Sequence, residues 1–220
     1  DRYGRDMLSR VIIGAQTSIT STLALVVIIA VAGTGIGVAC GCFGGALDAV
    51  IMRISDICLA FPGLVFAMAI AAVLNGGVQN AVIALAAVSW PKYSRIARSQ
   101  TLAVKDMGYL AAAKLTGSTP EKIIRKHVLP NIAGPILVTA MLDIGTMMME
   151  IAALSFLGLG AKPPTAEWGS MMSGGRSMLQ TYPWVVLTPG LAIFVSVVLF
   201  NLLGDTVRDY LDPKNAGREN

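Results

Sequence analysis

No charged side chain occurs between Val11 and Leu47. A spanning helix needs about 20 residues to cross hydrocarbon, so this run predicts one span at 17–41 with apolar flanks. A second apolar run covers 54–74 and closes at Asn75-Gly76-Gly77, a strong turn signal. Asp56 near its start pairs with Arg53 in this reading. The third run, 80–97, is interrupted by Pro91 and Lys92, and Trp90 and Tyr93 are placed as interfacial anchors. The second and third runs predict a hairpin open to the cytoplasm. Further apolar runs at 132–159 and 185–203 predict a fourth and a fifth span. Between these two, Gly160 to Gly169 leads into 171–182, an amphipathic and aromatic stretch that re-enters the bilayer or lies on the outer face.

A polar island separates the third and fourth spans. From Lys92 to Pro130 it carries eight Lys/Arg against Asp106 and Glu121, so it should face the cytoplasm. Its order is specific: Ala111-Ala112-Ala113 is strong helix former, Gly117 interrupts, and Ser118-Thr119-Pro120-Glu121 is a helix start. The pattern predicts two short helices joined by a glycine turn. Such a knob either docks on a soluble partner or simply anchors topology. With the island inside, five spans place Asp1 outside and the polar tail from Gly204 to Pro213 inside. The odd count, and a start with neither Met nor a signal-like run, lead us to expect a further helix upstream. The organisation expected is a lead-in at 1–16, a transmembrane domain at 17–213 with a coupling loop at 99–130 and an outer loop at 160–183, and a cytoplasmic tail at 214–220.

Composition removes the soluble classes. The chain has 220 residues, 55% of them hydrophobic and 14% charged, with mean hydropathy +0.67. That balance describes an all-α integral membrane protein. The net charge of +4 is concentrated in the island, so it reports orientation and gives no reason to expect a nucleic-acid partner. Cys40, Cys42 and Cys58 lie in or beside apolar segments and are expected to pack as small hydrophobes. Gly33, Gly35, Gly37, Gly41, Gly44 and Gly45 are not followed by Gly-Lys-Ser/Thr, so they predict close helix packing and not a phosphate loop.

The costliest residues are in the fourth span. Asp143 and Glu150 are seven apart, which places them within about 20° of each other around a helix. Intramembrane carboxylates ordinarily face the bundle interior or an aqueous path. With Thr146 and Met147-Met148-Met149 between them, they read either as a metal passage or as helix–helix hydrogen bonding with methionine packing. No metal site is assigned.

The loop resembles the coupling loop of ABC importer permeases, in which Glu-Ala-Ala is followed by a spaced Gly and a Leu-Pro. Ala112, Ala113, Gly117, Leu129 and Pro130 fit, whereas Ala111 stands in place of Glu and His127 in place of Ile. Gly4-Arg5-Asp6, Phe61-Pro62, Leu129-Pro130-Asn131, Ser155-Phe156-Leu157-Gly158-Leu159-Gly160, Thr165-Ala166-Glu167-Trp168-Gly169 and Leu203-Gly204-Asp205 resemble the second permease of dipeptide, oligopeptide and nickel importers. Leu142-Asp143-Ile144-Gly145 and the Glu-Trp-Gly form tilt the resemblance toward nickel.

The resemblance implies a type I importer fold in a bacterial inner membrane. It also implies a homologous second permease, two ATPase subunits that hold ATP and Mg, and an extracytoplasmic binding protein. This chain would bind no cofactor and catalyse no reaction. Ala111, Ala112, Ala113, Gly117, Ser118, His127, Leu129 and Pro130 would then seat on an ATPase. Asp143, Met147 and Glu150 would line the path, and Lys162, Glu167 and Trp168 would meet the binding protein. An ion-coupled secondary transporter using Asp143 and Glu150, and a non-transporting scaffold, remain as readings from other classes.

Overall fold

The computed structural model describes residue 1, residues 3–105, 107–108 and 117–211. Among the described residues all regular structure is helical. Helix α1 is Met7–Phe43, α2 Gly45–Ala60, α3 Gly63–Val73, α4 Val78–Lys105, α5 Pro120–Phe156, α6 Trp168–Gly175 and α7 Trp184–Leu211.

The first helix is longer than the span expected at 17–41. Asp6 caps it, accepting from the Ser9 amide at 2.7 Å. Hydrogen bonds from Ser9 also hold the Asp6 carboxyl below its ordinary value. Its 37 residues make a rod about 55 Å long at 1.5 Å per residue, well beyond a hydrocarbon core of about 30 Å. Gly44 and Gly45, at φ +65° and +63°, end it in a conformation that side chains disfavour.

Small residues bring α1 against α4, as expected. A Cβ on Gly33 would lie 2.6 Å from Tyr93 Cβ and 2.7 Å from the Trp90 carbonyl oxygen. A Cβ on Gly41 would lie 2.7 Å from the Thr101 side chain. Gly35, by contrast, faces open space. Leu25 and Ile29 of α1 are buried with Leu85 and Tyr93 of α4 and Ile151 and Leu154 of α5 in the main core.

Three expectations need correction. The run at 54–74 is not one straight helix but parts of α2 and α3, bent by 95° at Phe61-Pro62. Proline forces Phe61 into extended backbone (φ −98°, ψ 150°) and has no N–H to continue the helix. In contrast, Pro91 does not interrupt α4, which runs unbroken for 28 residues with Pro91 buried inside it. Neighbouring helices make such a proline tolerable. The second half of the island is not a separate short helix either. Thr119 caps it with Pro120 at the first position, and the helix continues through a π turn at Ile124–Val128 into the long apolar segment. Opening the helix to π register just before Pro130 makes room for its ring.

Among the described residues three helices, α1, α5 and α7, are individually long and apolar enough to cross a membrane, and the bent α2–α3 pair gives up to four. The remaining expected span, α4, has the length but carries Lys92, Arg95, Arg98 and Lys105 along its second half. The stretch after Gly160 neither stays irregular nor lies free: α6 packs between α5 and α7. Leu191, Phe194, Leu199 and Leu202 of α7 remain exposed, an apolar face suited to lipid or to another subunit.

Candidate functional site: a charged cavity between the helix elbow and α5

The basic residues of α4 are not a solvated stripe. Lys92, Arg95 and Arg98 recur every three residues, so they share a face, and each meets an acid on another helix. Arg98 grips Asp48 of α2 with both nitrogens, Nε to Oδ1 at 2.5 Å and Nη2 to Oδ2 at 2.6 Å. Arg95 donates to Ser55 Oγ at 3.1 Å and pairs with Asp56, which also meets Arg53 at 3.7 Å as expected. Lys92 reaches across to α5 and donates to Asp143 Oδ1 at 2.5 Å. The first cations of the polar island therefore lie on a helix and are paired, and are not part of the loop that follows. The missing signal was the register of acids on α2 and α5, which only tertiary packing sets against 92, 95 and 98.

Asp143 is buried, with Tyr93 Oη donating to its other oxygen at 2.9 Å. Tyr93 is itself fully enclosed. The buried carboxylate thus has both a counter-ion and a neutral donor, the arrangement that keeps a charge tolerable away from water.

Asp143 forms one wall of a cavity of about 380 Å³. Thr146, Met147 and Glu150 of α5 line it, confirming that the seven-residue spacing brings both carboxylates to one space. Lys92 and Ser89 enter from α4, while Cys58, Phe61 and Gly63 enter from the elbow between α2 and α3. The bend at Pro62 is what places that apolar wall opposite the charges. The three methionines do not act together. Met147 lines the cavity, Met148 is buried against Trp168 and Met171, and Met149 points outward.

At the loop end, Gly117 has φ +78°, Ser118 lies beside the Thr119 cap, and His127 sits in the π turn. Leu129 and Pro130 are exposed and available to a partner. Ala111, Ala112 and Ala113 lie outside the described residues. Lys105 Nζ donates to the carbonyls of Gly41 and Cys42 at 3.4 and 3.1 Å, tying the end of α4 to the end of α1.

At the other end, only Lys162 of the three binding-protein candidates is exposed; it donates to the Asn75 carbonyl at 2.8 Å. Glu167 and Trp168 are buried, 1% and 3% exposed, which corrects their reading as surface contacts. Glu167 caps α6 through the Gly169 and Ser170 amides at 2.9 and 2.8 Å. Trp168 Nε1 donates to the Val11 carbonyl at 2.9 Å and its amide donates to Ser18 Oγ at 3.1 Å. Both residues therefore lock α6 onto α1.

Comparison with known proteins follows the same lines. A profile described as "Binding-protein-dependent transport system inner membrane component" matches residues 33–217. The probable D,D-dipeptide transport permease DdpC of Escherichia coli K12 is 44% identical over 219 residues, covering 100% of this chain and 74% of that protein. The dipeptide transport permease DppC of Alkalihalophilus pseudofirmus is 44% identical, covering 97% of this chain and 70% of its own. The glutathione transport permease GsiD of E. coli O6:K15:H31 is 44% identical, covering 99% and 72%. Inward-facing structures of the MetNI methionine ABC transporter superpose with TM-score 0.73 over 94% of this chain and 98% of that one, at 18% identity, which shows the shared fold. The tilt toward nickel is not supported. These relatives are named for dipeptides and glutathione, and among the described residues no three His, Cys, Asp or Glu gather to hold a metal ion.

Proposed function

Because the chain belongs to the family of binding-protein-dependent transport system inner membrane components and is a permease subunit of an ABC transporter, we propose that its cargo is a short peptide or a peptide-like solute. The observation that carries this reading is the charged cavity. In a chain this apolar, Lys92, Asp143 and Glu150 meet in one space beside an apolar wall, a lining suited to a small solute that bears both charges and side chains. Cells with and without the chain should be compared for energised uptake of a labelled dipeptide, of glutathione and of nickel. Chain-dependent peptide or glutathione uptake is the expected result, and chain-dependent nickel uptake alone would overturn the reading.

ATP hydrolysis belongs to separate subunits in such transporters. We assign the segment from Ala111 to Pro130 to docking on them, supported by the exposed Gly117 turn and the capped start at Thr119. A second permease would close the open side of the cavity, and an extracytoplasmic binding protein would deliver cargo near Lys162. ATP would act by its differential affinity for two arrangements of the pair. Gly117→Arg adds a large cation at a positive-φ position that side chains disfavour. It is expected to abolish co-purification of the ATPase while membrane insertion is retained; co-purification at full yield would refute the docking assignment. The ion-coupled alternative is weakened because Asp143 is already matched by Lys92.

A further inference from the structure

The cavity holds one cation and two carboxylates, Lys92 against Asp143 and Glu150. Lys92 and Tyr93 are both committed to Asp143. Glu150 accepts no hydrogen bond and forms no ion pair among the described residues, although it is half-buried in the cavity wall. Its carboxylate is therefore left without a direct partner in a half-open cavity of an apolar chain, where Lys92 acts on it only from a distance and such a group is costly. It stands two helical turns from Asp143, a rise of about 10 Å along α5. Thr146 and Ser89 supply hydroxyls to the space, and Cys58, Phe61 and Met147 supply apolar surface.

From this we infer that Glu150 is a specificity-determining residue that receives the cationic amino terminus of the passing cargo. The inference rests on the peptide reading above and adds to it a requirement for a free ammonium group. The ammonium supplies the direct counter-ion that Glu150 lacks, while the cargo's carboxylate lies toward the exposed side of Lys92, which keeps donors beyond the one it gives Asp143. The side chains lie against the elbow. An N-blocked peptide has the same shape and lacks the charge, so it leaves the Glu150 carboxylate unmatched.

Cys58, which is unpaired and lines the cavity, provides a readout that does not pass through the binding protein. In the purified intact transporter carrying C40A and C42A, modification of Cys58 by a small methanethiosulfonate reagent is timed with alanyl-alanine or N-acetyl-alanyl-alanine present. Free dipeptide is expected to slow labelling at least fivefold and the N-acetylated form to leave it unchanged. Glu150→Gln should remove the protection while the complex still assembles, and Glu150→Asp should restore most of it. Equal protection by both peptides, or undiminished protection in Glu150→Gln, overturns the assignment. Chain-dependent dipeptide uptake without any protection of Cys58 also overturns it while leaving the peptide reading intact. Absence of peptide uptake removes both.

Discussion

Gly37→Leu is expected to leave almost no folded chain in detergent extracts, whereas Gly35→Leu, two residues away, should extract and melt like the parent. A Cβ at Gly37 would collide with the Ser94 carbonyl oxygen and approach Ala97 Cβ to 2.8 Å and the Arg98 amide nitrogen to 3.0 Å. Two of these three neighbours are backbone, so the collision is relieved only by moving α4 away from α1. Overpacking by a methylene or two typically costs about 1–3 kcal/mol in a core, and a leucine at a helix crossing this close exceeds that range. Helix association in lipid depends heavily on such close packing. Parting α4 from α1 would also weaken the Lys105 tie and shift Lys92 relative to Asp143. Gly35 faces open space, so a Cβ there meets no neighbour and leucine can extend outward. Size-exclusion profiles and melting temperatures of the two variants decide the matter, and matching behaviour would show that α1 and α4 are not held by this contact.

The second large effect is an asymmetry across the Lys92–Asp143 pair. The Asp143 side chain is 6% exposed and that of Lys92 is 51% exposed. Lys92→Met strands a buried carboxylate with only the Tyr93 hydroxyl. Breaking a buried pair from one side costs about 3–5 kcal/mol, and the low end applies here because water reaches Lys92 and already screens the pair. Asp143→Asn strands a cation that can hydrate, and its amide oxygen still accepts from Tyr93, so the expected cost is about 1–2 kcal/mol. Thermal unfolding should therefore rank Lys92→Met as the less stable variant, with the double replacement by Met and Asn recovering part of the loss. The reverse ranking would mean that Asp143 is better solvated than its burial implies. Asp143→Asn should also impair uptake more than ATPase association, and equal loss of both would make the residue structural only.

What could be read from the sequence was what local chemistry writes. The Thr119-Pro120-Glu121 start is legible because a cap, a first-turn proline and a first-turn acid act within four residues. Asp143 and Glu150 were placed on one face of a helix because helical period alone fixes their bearing; that this face lines a cavity came from the structure. The glycines of α1 announced close packing, although only the structure separates Gly33, Gly37 and Gly41, which touch α4, from Gly35, which does not. The elbow at Phe61-Pro62 was misread because hydropathy continues across it, while the backbone restriction imposed by Pro62 does not show in an apolar average. Pro91 was misread in the opposite direction, since a buried helix tolerates it. The partners of Lys92, Arg95 and Arg98 lie about 40 to 50 positions away in the chain, and no local pattern carries that distance. Glu167 and Trp168 were placed against a binding protein by the family resemblance, yet the cap and indole bonds draw them inside.

The unbroken rod of α1 has a mechanical consequence. It is fastened near one tip by Trp168 to the Val11 carbonyl and at the other by Lys105 to the carbonyls of Gly41 and Cys42. With about 45 Å between these two fastenings, a tilt of about 4° about one would move the other by about 3 Å. Geometrically the helix is a lever arm, along which a small angular change at the α4 end would become a displacement of atomic size at the α6 end.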